Sequence, residues 1–181
     1  MKKYLIGIAK DAIKEELTGT KVIDEEALVK AHPELSKKAA TFVTLDKQKQ
    51  LRGCVGSLVA HRSLLEDIIS NAKAAAFRDS RFFPLKAEEF ENLGVEVSIL
   101  SEPEKLTYRD TDDLRKKIRV GIDGVILKRG DKQATFLPQV WEQLADFEEF
   151  FMHLCQKAGL HHQCLELHPD IYTYQAEKIK E

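Results

Sequence analysis

Residues 40–60 read ATFVTLDKQKQLRGCVGSLVA. Ala40 to Asp46 and Leu51 to Ala60 are β-rich runs, and the polar Lys47-Gln48-Lys49-Gln50 between them has the composition of a hairpin loop of four residues or slightly more. Cys54 therefore falls on the second strand, between Gly53 and Gly56, and a glycine inside a strand pattern marks a bulge or a close approach of backbone. Directly after the hairpin, Ser63-Leu64-Leu65-Glu66 has capping-box spacing. Leu64, Leu65, Ile68, Ile69, Ala72, Ala75 and Ala76 then continue an apolar stripe, which predicts a helix of about four turns ending near Phe77. An antiparallel hairpin followed by a helix, without a regular βαβ rhythm, indicates an α+β fold.

The rest of the chain extends this pattern. Tyr4, Leu5, Ile8, Ala9, Ala12, Ile13 and Leu17 recur at helical spacing, with Gly19 as the C-terminal cap. Asp24 is placed to cap a short second helix that stops before Pro33. Residues 94–103, GVEVSILSEP, read as a strand ended by Pro103, and residues 110–118 as a short charged helix. In residues 119–138 the turn signals Asp123-Gly124 and Arg129-Gly130-Asp131-Lys132 flank the apolar run Val125 to Leu127 and predict two antiparallel hairpins. Pro138 suits a first helical position, and Asp146 caps a helix carrying Phe147, Phe150, Phe151, Leu154, Cys155 and Ala158, with Gly159 beyond it. One last strand is predicted near IYTYQAE, residues 171–177. No repeat, low-complexity tract or Pro/Gly/Ser linker interrupts the chain, so residues 1–181 are expected to form a single domain without separate, freely moving parts, with room for a small lobe packed on a larger one.

A chain that is 43% hydrophobic and 32% charged has an ordinary globular composition, and no run approaches the roughly 20 apolar residues of a membrane helix. Lys10, Asp11 and Lys14 interrupt any signal-peptide core. Cys54, Cys155 and Cys164 are odd in number and irregular in spacing, unlike a secreted disulfide framework, so a cytoplasmic protein with free thiols is expected. A formal charge of -2 supplies no global basic field for nucleic acid. The densest basic run, Arg115 to Arg119, follows Asp110, Asp112 and Asp113 and reads as a solvated helix face aligned with its dipole.

Three groups carry candidate chemistry. In Arg52-Gly53-Cys54-Val55-Gly56, strand alternation puts Arg52 and Cys54 on one face and Gly53 on the other. There a guanidinium would favour the thiolate and accept an anionic ligand, or Cys54 is simply a small buried hydrophobe in a bulged strand. In Arg78-Asp79-Ser80-Arg81, two arginines around an aspartate form an ion-pair hub, an anion site, or a charged loop latched to a neighbour. His161, His162, Cys164 and His168 are admissible metal ligands, but their spacing matches no closed Cys/His site, and no metal is expected. No GxSxG, Gly-rich phosphate loop or HExxH occurs, and His61 is the only histidine near Cys54 in sequence.

Four separated stretches stand in an informative order: LRGCVGSL (51–58), AAAFRDSRFFPL (74–85), GVEVSIL with SEPEKL (94–106), and GIDGVILKRG leading into ATFLPQVWEQL and LCQKAGL (121–160). Together they resemble the AMMECR1 domain family over residues 1–177. The family's signature maps onto Leu51, Arg52, Gly53, Cys54, Val55 and Gly56, with Val55 where isoleucine is usual and Ser57 where threonine is frequent. The resemblance implies two packed lobes, a larger sheet flanked by helices and a smaller antiparallel lobe, with a cleft between them near the signature. It also implies a shared pathway with Memo-like and radical SAM proteins. This chain has no CxxxCxxC cluster, so no cofactor is expected in it and radical chemistry would belong to a partner. On this reading Cys54 is the candidate nucleophile and Arg52 the anion and thiolate stabiliser for an anionic small molecule. Gly53, Gly56, Arg78, Asp79 and Arg81 shape the binding cleft. The alternative is a non-catalytic binding or scaffold module for protein partners or RNA.

Overall fold

The computed structural model describes residues 2–181. In chain order, helix α1 (Tyr4–Thr18) ends on Gly19, whose φ of 71° is the left-handed cap. Asp24 opens α2 (Glu25–Ala31) by accepting from the Ala27 N–H. Strands β1 (Lys38–Lys47) and β2 (Gln50–Gly56) form the predicted hairpin, but the turn is tighter than expected: only Gln48 and Lys49 lie between the strands, at φ 54° and 64°. Strand β3 (Arg62–Ser63) leads into α3 (Leu64–Phe77), where Ser63 and Glu66 close the capping box. Then come α4 (Ala87–Phe90), β4 (Leu93–Leu100), β5 (Glu104–Leu106) and α5 (Thr111–Lys117). Strands β6 (Gly124–Arg129) and β7 (Lys132–Phe136) form a hairpin, followed by a 3-10 turn over Pro138–Glu142. Asp146 caps α6 (Phe147–Lys157), a 3-10 turn spans Cys164–Leu167, and β8 (Asp170–Tyr174) and β9 (Ala176–Lys180) complete the order.

The chain divides into two units, one made of residues up to 100 together with 177–181, the other of residues 101–176. The first holds a sheet in the order β2-β1-β4-β9, with β3 against β1. Alternation along its strands turns Val43, Leu45, Val95 and Val97 into a core shared with Leu5, Ala12, Ile13, Ile68 and Ala72 of α1 and α3. Phe42, Thr44 and Asp46 alternate with these and lie on the opposite face. The second unit has an antiparallel sheet in the order β5-β8-β6-β7. Val125, Leu127 and Ile171 pack there against Phe150, Phe151 and Leu154. Trp141 stacks on Phe150 at 3.6 Å and donates its indole N–H to the Asp123 carbonyl. No helix among the described residues is long and apolar enough to cross a membrane.

Three local expectations are corrected. Asp123-Gly124 is not a hairpin turn. Asp123 is buried, and its carboxylate accepts from the Arg119 N–H, the Arg119 guanidinium and the Gln175 amide, while Gly124 opens β6. The final β run splits at Gln175 into two strands of different sheets, because the pairing partners of Asp170–Tyr174 lie on β5 and β6 and β9 joins β4. Finally, Cys155 and Cys164 are not free thiols but form a disulfide, both fully buried. The α6 stripe carries Cys155 into the core, and the turn beginning at Cys164 meets it there.

Closing a loop across the 9-residue separation of these cysteines stabilises the folded state by about 2.5 kcal/mol in the chain-entropy account. The doubly substituted protein, Cys155→Ala with Cys164→Ala, is expected to lose about that much in a denaturant titration, with the loss seen in Trp141 fluorescence.

Candidate functional site

The candidate signature lies on β2, the outer strand of its sheet. Gly53 pairs with Leu45 but Leu51 pairs with Asp46, so the register slips by one residue and Arg52 has no partner on β1. This is the bulge that the glycines suggested, and it redirects a side chain at the strand edge. Gly53 turns toward α3: a Cβ there would lie 2.1 Å from the Ala75 carbonyl oxygen, so only glycine lets strand and helix meet. Gly56 makes room for the Phe42 ring, which would sit 2.2 Å from its Cβ. Both glycines thus serve packing.

Cys54 pairs with Thr44, and its Sγ lies 3.2 Å from the Thr44 hydroxyl. The Cys54 N–H donates to the Asp79 carboxylate at 2.9 Å, while its carbonyl accepts from the Arg81 guanidinium at 3.4 Å. Arg81 in turn grips Asp79 through Nε and Nη2, at 3.0 and 2.7 Å. Asp79 and Arg81 therefore occupy the backbone groups of Cys54 that a further strand would have taken. Arg81, and then the Cys54 N–H, hold the Asp79 carboxyl well below the usual range, against its burial. The Cys54 thiol is pushed up, chiefly by burial, which outweighs the Thr44 hydroxyl and Arg81. The lowering expected from Arg52 does not occur, and the cation acting on this thiol is Arg81.

Arg52 is engaged elsewhere. Its Nε and Nη2 form a bidentate pair with Glu89, at 3.0 and 3.1 Å, and Nη2 also donates to the Phe83 carbonyl at 2.9 Å. Its Nη1 is buried with no hydrogen-bond partner among the described residues. The Phe82 ring lies within cation–π range of both guanidinium groups, 5.8 Å from Arg52 and 5.6 Å from Arg81. Arg52, followed by the Lys86 N–H, brings the Glu89 carboxyl down to about 2. These side chains line a pocket of about 510 Å³ with Lys47, Arg81, Phe83, Pro84, Lys86 and Glu88. Four cations, Lys47, Arg52, Arg81 and Lys86, line it against two carboxylates, Glu88 and Glu89. Arg78 does not join them: it is the C-cap of α3, and its guanidinium pairs with Glu16 on α1 at 2.9 Å.

Sequence reasoning passed over Glu89 and Lys86, which reach Arg52 or its pocket from a distant segment, and read Lys47 only as part of the hairpin loop, although it lines the same pocket. It also missed a buried network around Asp67, which accepts from the Thr41 N–H and hydroxyl, Ser57, Arg62 and Asn71. This network ties β1, the exit of β2 and α3 together with every carboxylate oxygen satisfied, a structural role. Of the admissible metal ligands, Cys164 is in the disulfide and the His168 ring lies against the Tyr108 carbonyl. Among the described residues no cluster of three or more potential metal ligands forms.

The molecule is thus an α+β protein of two sheet-based units with a cation-lined pocket beside a half-buried cysteine. It belongs to the AMMECR1 family, whose model matches residues 6–179. A Methanothermobacter thermautotrophicus protein is 38% identical, over 99% of this chain and 93% of its own length. A Saccharolobus solfataricus protein is 41% identical, over 90% and 73%. The crystal structure of an uncharacterised Pyrococcus horikoshii protein, PH0010, superposes with a TM-score of 0.86 at 37% identity, covering 99% of this chain and 90% of that one.

Two outcomes follow from the titration behaviour. Iodoacetamide labelling of Cys54, followed by peptide mass spectrometry across pH, should give an apparent pKa above the free-thiol value of about 8.5. For Glu89 the folded value lies below the ordinary 4.5, so its contribution is present above that pH and is lost as pH falls toward the folded value. Glu89→Gln is therefore expected to be less stable near neutrality and to lose less melting temperature than wild type between about pH 5 and pH 3.

Proposed function

We propose that this chain is the ligand-holding component of an enzyme system and takes an anionic small molecule into the pocket lined by Lys47, Arg52, Arg81 and Lys86. The observation that carries this reading is the excess of cations over carboxylates on that wall, together with a buried guanidinium nitrogen that has no hydrogen-bond partner among the described residues. Buried donors ordinarily find acceptors, so an unpaired one calls for an explanation, and a functional role or a bound ion or water is among those that apply. Arg52 is braced by Glu89 and acts as a fixed positive wall, whereas Arg81, paired with Asp79 but with more than half of its side chain exposed, and Lys86, which pairs with no carboxylate among the described residues, are the groups that meet the anion.

Cys54 adjoins this pocket through Arg81, and burial pushes its thiol up from the ordinary value. Work by this thiol on the bound molecule would need a base to accept its proton, so holding the ligand is the better supported role. The Memo-like and radical SAM proteins implied by the family resemblance are the proposed partners, and any radical step is assigned to them. The Cys54 environment also gives weight to the purely binding reading, in which Cys54→Ala supports complementation as well as wild type.

The test is a titration with inorganic pyrophosphate, followed by calorimetry and by melting temperature. Wild type is expected to bind and to melt higher. Lys86→Glu, which breaks no ion pair among the described residues, should keep its unliganded melting temperature and bind at least about tenfold more weakly at low salt. No binding by wild type, or equal binding by Lys86→Glu, would sink the proposal.

A further inference from the structure

Phe83 is 89% exposed, the most exposed of the large hydrophobic side chains. A single exposed aromatic is unremarkable on a mobile loop. Here the backbone beneath it is pinned on both sides. The Phe82 N–H donates to the Asp79 carbonyl at 3.0 Å, and the Leu85 N–H to the Ala76 carbonyl at 2.8 Å. The Phe83 carbonyl itself is held by Arg52 Nη2, and Pro84 fixes the next φ. Leu85, buried, anchors the segment to the core. The ring is therefore held out on a fixed support, on the wall of the pocket that presents Arg81 and Lys86. With its backbone already fixed, the ring has only its two side-chain torsions to order on binding, and a ring of this size can bury about 150–250 Å² against a partner surface.

Resting on the anion-holding reading above, we propose that the ligand of this pocket carries a planar ring as well as its anion, the anion meeting Arg81 and Lys86 and the ring stacking on Phe83. The pocket volume of about 510 Å³ accommodates such a molecule, since small-ligand sites run to about 300–1,000 Å³. Two neighbouring rings have separate tasks. Phe82 lies within cation–π range of both the Arg52 and the Arg81 guanidinium, and Phe83 is left for the ligand. This makes Phe83 a specificity-determining residue, selecting aromatic anions over aliphatic anions of the same charge.

The matched probes are phenyl phosphate and methyl phosphate, with inorganic phosphate as reference, each titrated calorimetrically at low salt. Wild type is expected to bind phenyl phosphate roughly five- to tenfold tighter than methyl phosphate, the range of one aromatic stacking contact. Phe83→Ala should bring the ratio close to one, and Phe83→Trp should restore or exceed it. Binding of all three anions with no preference for the phenyl ester, or a preference that persists in Phe83→Ala, would overturn the aromatic inference and leave the anion site standing. Failure of all three to bind wild type would overturn both.

Discussion

The contact between Gly53 and α3 sets the rest of the first unit. With the position of a Cβ only 2.1 Å from the Ala75 carbonyl oxygen, β2 lies against the helix backbone itself rather than against a layer of side chains. The end of α3 is thereby brought beside the outer edge of β2, and the residues just past its C-cap, Asp79 and Arg81, reach the backbone of Cys54. A larger residue at position 53 would force strand and helix apart, with a repacking cost of about 1–3 kcal/mol, and would remove the alignment on which the neighbouring ion pairs depend.

Electrostatics then sorts the charged residues into two functions. Asp79 and Glu89 are each held ionised by an arginine and by a backbone N–H, so they act as fixed acceptors. Their partners differ in freedom. The Arg52 side chain is 12% exposed, whereas that of Arg81 is 55% exposed. One guanidinium is thus a strut and the other a contact surface. Cys54 sits beside the Asp79–Arg81 pair without being activated by it, because in its half-buried position the loss of hydration weighs more than the nearby positive charge.

Much of the fold was legible because local rules acted alone. Asp24, Ser63 and Asp146 each cap the helix that follows, as their positions predicted, and the alternation in residues 40–46 set the core face of β1. The site was legible only in part. Asp79 and Arg81 do meet Cys54, and the glycines did mark a bulge and a close approach, but the bulge itself broke the alternation on which the pairing of Arg52 with Cys54 was argued. Glu89 lies 37 residues from Arg52 in sequence, and nothing periodic links the two. The disulfide was hidden for a related reason: Cys155 fits an apolar stripe equally well as a thiol, and only the turn at Cys164 brings a second sulfur to it.

The division of the last β run has a consequence for how the chain is built. Strand β9 belongs beside β4, and Ile179 is buried in the core of the first unit, yet the whole second unit lies between those strands in sequence. During synthesis the edge of β4 that β9 will cover stays open until residues 176–180 have left the ribosome. The first unit therefore cannot finish folding vectorially, and its unpaired strand edge must be kept from foreign partners while the intervening 76 residues, 101–176, are made.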